Sequence, residues 1–535
     1  MPDYIIIGAG SAGSVVAARL SEDPSARILV LEAGPSDDLP EIAMPAAAPA
    51  LWAGPLAWDH VTVPQRHAAQ RAVPWPSGRT LGGSSAINGM IYIRGNRADY
   101  DAWRDVYGCA GWGYADVLPY FLRAEDQQRG ESPYHGTGGP LRVEDQRYEH
   151  PLSRAWLAAA AASGLSRNAD FNGARQEGVG HYQVTQRGGR RWSAADAYLR
   201  PAMRRPNLTV ETSAQVSRLI MDGERVTGVR YVRDGAVREA SAAREVIVAC
   251  GAVKAPQLLM LSGIGPGDQL RAHRIPVRAD SPAVGSGLQD HPICLPGWRT
   301  PSARNLWEEA NPQNLELWRR ERRGPMASLG AEAGGFTSSA PGRPAPDLQL
   351  GAIPGPPPLP GPGTPAERSV GTLVSAVHVR SRGRVLLACA DPAAAPLVDP
   401  AYFADEADLD VLVAGVRTAR EIVACGPLAG ITAGEITPGE HVDDDGQIRD
   451  WIRATASSMF HPTGTCAMGG GPEAVCDPEL RVRGVTGLRV VDASVLPATP
   501  RGNTNAPVIA VAERAADLIR GDTTLPATAP GYALG

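Results

Sequence analysis

The segment Gly8-Ala9-Gly10-Ser11-Ala12-Gly13 constrains this chain more than any other. It follows directly on Tyr4-Ile5-Ile6-Ile7, a short run apolar enough for a parallel strand buried on both faces. Residues 14–20 then suit a helix. A second apolar run, 27–31, ends at Glu32, 19 residues after Gly13. Each part has a physical task. Gly8 permits the tight turn, Gly10 lets the backbone approach a pyrophosphate, and Gly13 lets helix and strand pack closely. The helix N-terminus offers free N–H groups and a positive dipole end to the phosphates. Glu32 stands where a ribose hydroxyl is held, and its charge disfavours a ribose 2′-phosphate. G-x-G-x-x-G alone is a weak signal, and its bland alternative is a glycine-rich turn in another α/β fold. Between a strand and a helix, with the acid in place, it reads as a dinucleotide site.

Length and charge narrow the rest. At 535 residues the chain has room for two to four lobes and a large core. Its 52 basic and 57 acidic residues give a net charge of −5, with no basic surplus to hold a nucleic acid. Seven cysteines, with no CxxC and no His/Cys cluster at zinc spacing, read as reduced thiols and give no metal site. There is no apolar run of about 18 residues, so no transmembrane segment is expected. The strand at Tyr4 leaves no room for a signal peptide, which points to a cytoplasmic protein.

Further along, Gly82-Gly83-Ser84-Ser85 forms a second small-residue turn, able to lay backbone against a flat ligand. It lies within Gly78-Arg79-Thr80-Leu81-Gly82-Gly83-Ser84-Ser85-Ala86-Ile87-Asn88-Gly89-Met90. With Gly251-Ala252-Val253-Lys254-Ala255-Pro256-Gln257, Val284-Gly285-Ser286-Gly287-Leu288-Gln289-Asp290-His291, His461-Pro462-Thr463-Gly464-Thr465 and Asn503-Thr504-Asn505-Ala506-Pro507, this stretch resembles the signatures of the glucose-methanol-choline (GMC) oxidoreductases. The matches run in family order over nearly the whole chain, and are most similar to bacterial choline dehydrogenases and their alcohol-dehydrogenase relatives. Two departures are small: Ala255 stands for the usual Ser or Thr, and Gly287 for Asn.

The resemblance implies an α/β protein (α+β overall). A Rossmann-type FAD-binding domain would be assembled from roughly 1–150, 201–292 and 456–535. A discontinuous substrate domain on an antiparallel sheet would comprise 151–200 and 293–455. FAD contacts would come from Gly8, Gly10, Ser11, Ala12, Gly13, Glu32, Ala33, Gly82, Asn88, Gly89, Met90, Ile91, Val216, Asp492, Ala493, Thr504, Asn505 and Ala506. Ile87 stands where some choline oxidases tether the flavin through a histidine, so the FAD is expected to be non-covalent.

The activity implied is oxidation of a CH–OH group, on a primary alcohol, with O₂ or another acceptor reoxidising the flavin. His461 would take the hydroxyl proton, since an imidazole is largely neutral at pH 7 yet accepts a proton, and hydride would pass to flavin N5. Asn505 would orient the substrate and stabilise its oxygen. Ala506-Pro507 would begin a helix that runs through 508–519, proline being suited to a first helical turn. His291 reads as a structural histidine. Glu332 aligns with a carboxylate near the substrate of choline-type enzymes, and reads equally as a substrate-ammonium partner or a buried structural acid. The proline-rich stretch 341–365 would cover the substrate entrance or a subunit contact, and it weakens the likeness to choline enzymes. Two other readings are non-redox chemistry on the same fold, as in hydroxynitrile lyases, and a non-catalytic nucleotide module. The intact histidine and asparagine argue against both.

Overall fold

A computed structural model describes residues 1–356, 367–528 and 530. Most of the proline-rich stretch, 357–366, and the tail segment 531–535 lie outside the described residues.

The run Tyr4–Ile7 is buried throughout and forms the centre of a five-stranded, wholly parallel sheet. Its order is Leu208–Glu211, Ile28–Leu31, Tyr4–Ile7, Glu245–Val248, Leu488–Val490. Such strands carry apolar residues on both faces because helices cover both. Helix Ser11–Leu20 lies on this sheet and packs along Asn505–Arg520, the last helix of the chain. A three-stranded antiparallel meander, from Ala214 to Ser241, follows the edge strand.

The second layer is an eight-stranded sheet, antiparallel at every pairing. Its long strands Leu348–Ile353 and Ser369–Ala376 alternate in role, as period-two side chains must. Val374 faces helix Ala407–Val423, where a Cβ on Gly415 would stand 2.3 Å from it. Leu373 points the other way, into a cavity. The fold class is therefore as the motifs suggest: a Rossmann-type layer and an antiparallel substrate layer.

A short pairing at the margin of this second sheet positions the site. Ser457–Ser458 bonds to Pro292 and Ile293, and Pro292–Cys294 in turn pairs with Ser369–Ala376. The chain leaves that pairing straight into His461. Among the described residues no helix is long and apolar enough to cross a membrane, and no group of three or more metal-binding side chains converges. All seven cysteines are free, four of them buried.

Candidate active site

One elongated cavity, about 420 Å³, runs from the first glycine turn to the seam between the layers. That size is within the usual range for a ligand pocket. Its two ends are built differently.

At the nucleotide end the backbone makes the wall. Gly8 adopts φ +99°, and a Cβ there would lie 2.6 Å from the Ala249 carbonyl oxygen. A Cβ on Gly13 would lie 1.9 Å from the Gly8 carbonyl oxygen, so only glycine lets the helix sit on the strand. Gly10 and Gly83 face each other, and a Cβ on Gly83 would come 2.7 Å from the Gly10 Cα. Glu32 is buried. Its two oxygens accept the backbone N–H groups of Ala9 and Gly34, each at 2.8 Å, and burial pushes its pKa up. Asp492 accepts from Gly251 N–H at 2.8 Å and holds the turn at Ser494. At Gly89 a Cβ would meet nothing within 4 Å, so the backbone there faces open space. These features fit a long, flat nucleotide cofactor: a bare-backbone slot, a helix N-terminus at Ser11 and a buried acid at one end.

Of the expected cofactor contacts, Gly8, Gly10, Ser11, Ala12, Glu32, Ala33, Asn88, Gly89, Met90, Ile91, Val216, Asp492, Ala493, Thr504 and Asn505 line the cavity. Gly13, Gly82 and Ala506 do not. Gly13 is occupied with packing, Gly82 supplies a left-handed turn at φ +84°, and Ala506 is buried inside its helix. Trp58 and Lys254 line the cavity without having been singled out as contacts; the Lys254 ammonium sits 4.4 Å from the Trp58 ring centroid.

At the other end a loop is held under tension. Phe460, a bulky residue, adopts φ +60°, a region such residues rarely occupy. Its neighbours fix it there. Met459 N–H donates to the His291 carbonyl at 2.9 Å, Phe460 N–H to Ser458 Oγ at 2.7 Å, and His461 N–H to Asp290 Oδ1 at 2.8 Å. The other Asp290 oxygen accepts from the hydroxyls of Ser458 and Tyr402. Burial raises the Asp290 pKa to about 6. The preceding Gln289 ties the same region together, through Pro497 and Thr499. Gly287 adopts φ +75°, and since Asn is the other residue that tolerates this region, its departure from the family pattern keeps the backbone.

His461 is buried on the cavity wall, and burial pushes its pKa down to about 3, holding the ring neutral. Its Nδ1 lies 3.0 Å from His291 Nδ1, and its Nε2 lies 3.3 Å from Asn503 Nδ2. The Asn503 oxygen accepts from Gln349 Nε2 at 3.2 Å, which turns the amide N–H towards His461. This pattern assigns the His461 proton to Nδ1, donated to His291, and makes Nε2 the acceptor, facing the Asn503 N–H at the cavity wall.

One sequence expectation changes here, and of the two readings of Glu332 the geometry supports the buried structural acid. The hydrogen bond made by the Asn505 side chain goes to Ser11 and not to His461. Asn505 is the first residue of its helix, and its Oδ1 accepts the Ser11 hydroxyl at 2.7 Å, linking two helix N-termini. Asn503, two residues earlier and outside the helix, reaches the histidine instead. Glu332 does not line the cavity. Its side chain is buried and both oxygens accept serine hydroxyls, from Ser153 and Ser328. His291, expected as a purely structural residue, lies directly behind His461.

Comparison with known proteins agrees with this architecture. Family models described as GMC oxidoreductase match residues 2–293 and 379–512. The chain is 42% identical over 530 residues to an alcohol dehydrogenase [acceptor] of Pseudomonas putida, covering 97% of this chain and 96% of that protein. It is 42% identical to the mitochondrial choline dehydrogenase of Homo sapiens, over 98% of this chain and 90% of that one. Among solved structures it is similar to pyridoxine 4-oxidase from Mesorbium loti (TM-score 0.89, 33% identity, 98% and 100% covered). A formate oxidase superposes with a TM-score of 0.90 at 27% identity, over 97% and 98% of the two chains. Nothing in these comparisons supports lyase chemistry.

Proposed function

Because the chain belongs to the GMC oxidoreductase family and is an FAD-dependent enzyme acting on CH–OH donors, we propose that it oxidises a primary alcohol to the aldehyde with His461 as base and Asn503 as its partner. The observation that carries this reading is the acceptor Nε2 of a neutral, buried His461, paired at 3.3 Å with an amide N–H, in the same cavity as the glycine turn.

Bound FAD supplies the acceptor for the carbon-bound hydrogen and its electron pair. The chain's residues do the rest. The substrate hydroxyl replaces the hydrogen bond between Asn503 Nδ2 and His461 Nε2: it donates to the Nε2 lone pair and accepts the released amide N–H. As the proton moves to Nε2, Asn503 donates to the oxygen that is gaining charge. His291 keeps the other imidazole nitrogen engaged, so the ring stays in the orientation that presents Nε2. Loss of the proton and of the carbon-bound hydrogen leaves the carbonyl product.

Gly10, Ser11 and the first helix N-terminus would hold the pyrophosphate, and Glu32 the ribose. The segment 88–91 would lie against the ring system. FAD is proposed to be non-covalent, since Ile87 on the cavity wall carries no nucleophile. An electron acceptor other than O₂ is favoured, in line with the two dehydrogenases at 42% identity. His461→Ala should keep its flavin absorbance yet lose anaerobic, alcohol-dependent bleaching by about 10²–10⁴. Near-normal bleaching in that variant would overturn the base assignment.

A further inference from the structure

We propose that the substrate end of the cavity accepts an uncharged, apolar alcohol and rejects quaternary ammonium alcohols such as choline. This deepens the reading of the same site as an alcohol-oxidising centre, and rests on it.

Three neighbouring strands of the substrate sheet build this wall. Ile293, Ile353 and Leu373 all line the cavity. Leu373 lies opposite Gly351, and Ile353 opposite Gly371, in register across the central pair. Each aliphatic side chain therefore faces a glycine, which keeps that face concave. A Cβ on Gly351 would already touch Leu373 at 3.5 Å, and one on Gly371 would touch Ile353 at 3.5 Å. Ile293 extends the same face, opposite Ser375 on the strand that carries Leu373. Trp52 and Phe460 line the same cavity and meet edge to face, with ring centroids 5.7 Å apart. The Trp52 indole N–H is held by the Ile87 carbonyl at 3.0 Å.

Charge is missing where a cation would need it. Among the described residues lining the cavity, the carboxylates are Glu32 and Asp492, and both belong to the nucleotide end, bonded to backbone N–H groups. Glu332, the acid that the family resemblance would place near the substrate, is bonded to Ser153 and Ser328. Residues 357–366 contain neither Asp nor Glu in their sequence. A quaternary ammonium group is charged at every pH and has no proton to donate. Placed against Ile293, Ile353 and Leu373 it would lose its hydration with no counter-ion, which is costly. Two rings engaged edge to face do not form the cage of π-faces that recognises such ions. A tert-butyl, alkyl or aryl group of the same bulk gains from the same burial.

The test compares choline with its neutral isostere, 3,3-dimethylbutan-1-ol, on the FAD-loaded protein without oxygen. Two signals are read: the immediate perturbation of the flavin band, which reports binding, and its later bleaching, which reports oxidation. The isostere should bind at least about tenfold tighter than choline. Choline binding equally well or better overturns the proposal, as does failure of the isostere to bind. Tight binding of the isostere without bleaching supports the apolar wall and instead overturns the oxidation reading for that alcohol. Leu373→Glu should move the choline-to-isostere binding ratio by about tenfold towards choline. An unchanged ratio in a flavin-replete variant removes Leu373 from the wall.

Discussion

The two ends of the cavity obey different rules. At the nucleotide end the contacts are made by backbone: Gly8, Gly10, Gly83 and Gly89 have no side chain to offer, and three of them have no room for one or face open space. At the substrate end, side chains from strands far apart in the chain converge, and the backbone is hidden behind them. A backbone surface tolerates almost no substitution but recognises only what every member of a cofactor class shares. A side-chain surface can change one residue at a time, and so carries the choice of substrate.

That contrast can be tested from its strongest point downwards. Gly13→Val should abolish FAD binding, because the new Cβ meets the Gly8 carbonyl oxygen at 1.9 Å and no side chain can move to relieve it. The ratio of flavin to protein absorbance reads this directly. A flavin-replete Gly13→Val protein would break the claim that the backbone is the site. Asn503→Ala should lower the rate of flavin reduction by about 10²–10³ in protein that retains FAD. Asn505→Ala removes a bond to Ser11 and should chiefly weaken FAD retention, with reduction of the loaded protein within about tenfold of the parent. Equal rate losses in the two variants would erase the distinction between the neighbouring asparagines.

Asp290→Asn replaces an oxygen that accepts two hydroxyls with a donor, so it should cost about 1–3 kcal/mol of stability in thermal or denaturant unfolding. Its reduction rate should fall as well, since the same side chain holds the His461 backbone.

The pH profile gives a smaller effect. The base must be unprotonated to act, and burial lowers the His461 pKa from about 6.5 to about 3, so protonation is deferred to more acidic solution. In Asp290→Asn protein, which lacks the carboxyl that titrates near pH 6, flavin reduction should stay within about twofold from pH 8 to pH 5, whereas an acid limb near pH 6.5 there would mean a solvated ring. Smallest of all, Glu332→Gln should leave the preference between neutral and cationic alcohols unchanged to within about twofold.

How much could be read before the fold was known follows the same division. Gly8, Gly10, Gly13 and Glu32 are legible because a tight turn, a close approach and a buried acid each demand a residue type at a set spacing. The histidine loop was legible from its short motif. The choice between Asn503 and Asn505 was not, because it depends on where the helix begins: Asn505 is already in its first turn and points along the neighbouring helix, while Asn503 precedes it. Glu332 reads two ways for a related reason: it stands just before the strand Ala333–Thr337, and one of the serines that hold it, Ser153, is 179 residues away. Asp290 and Gln289 sat in a quoted motif, yet nothing local indicates that their partners lie about 170 and 210 residues away. The apolar wall had no motif at all, because Ile293, Ile353 and Leu373 become neighbours only through sheet register.

The pairing of Ser457–Ser458 with Pro292 and Ile293 has a mechanical consequence. His461 hangs from the substrate layer, while Asn503 leads into a helix seated on the nucleotide layer beside Ser11. The reacting hydroxyl must touch both, so it gauges the alignment of the two layers. A slight slide between them would leave both cores packed and the cofactor slot whole, yet pull base and amide out of reach of the same oxygen. Substrate exchange by wide opening of the layers would dismantle the site each time.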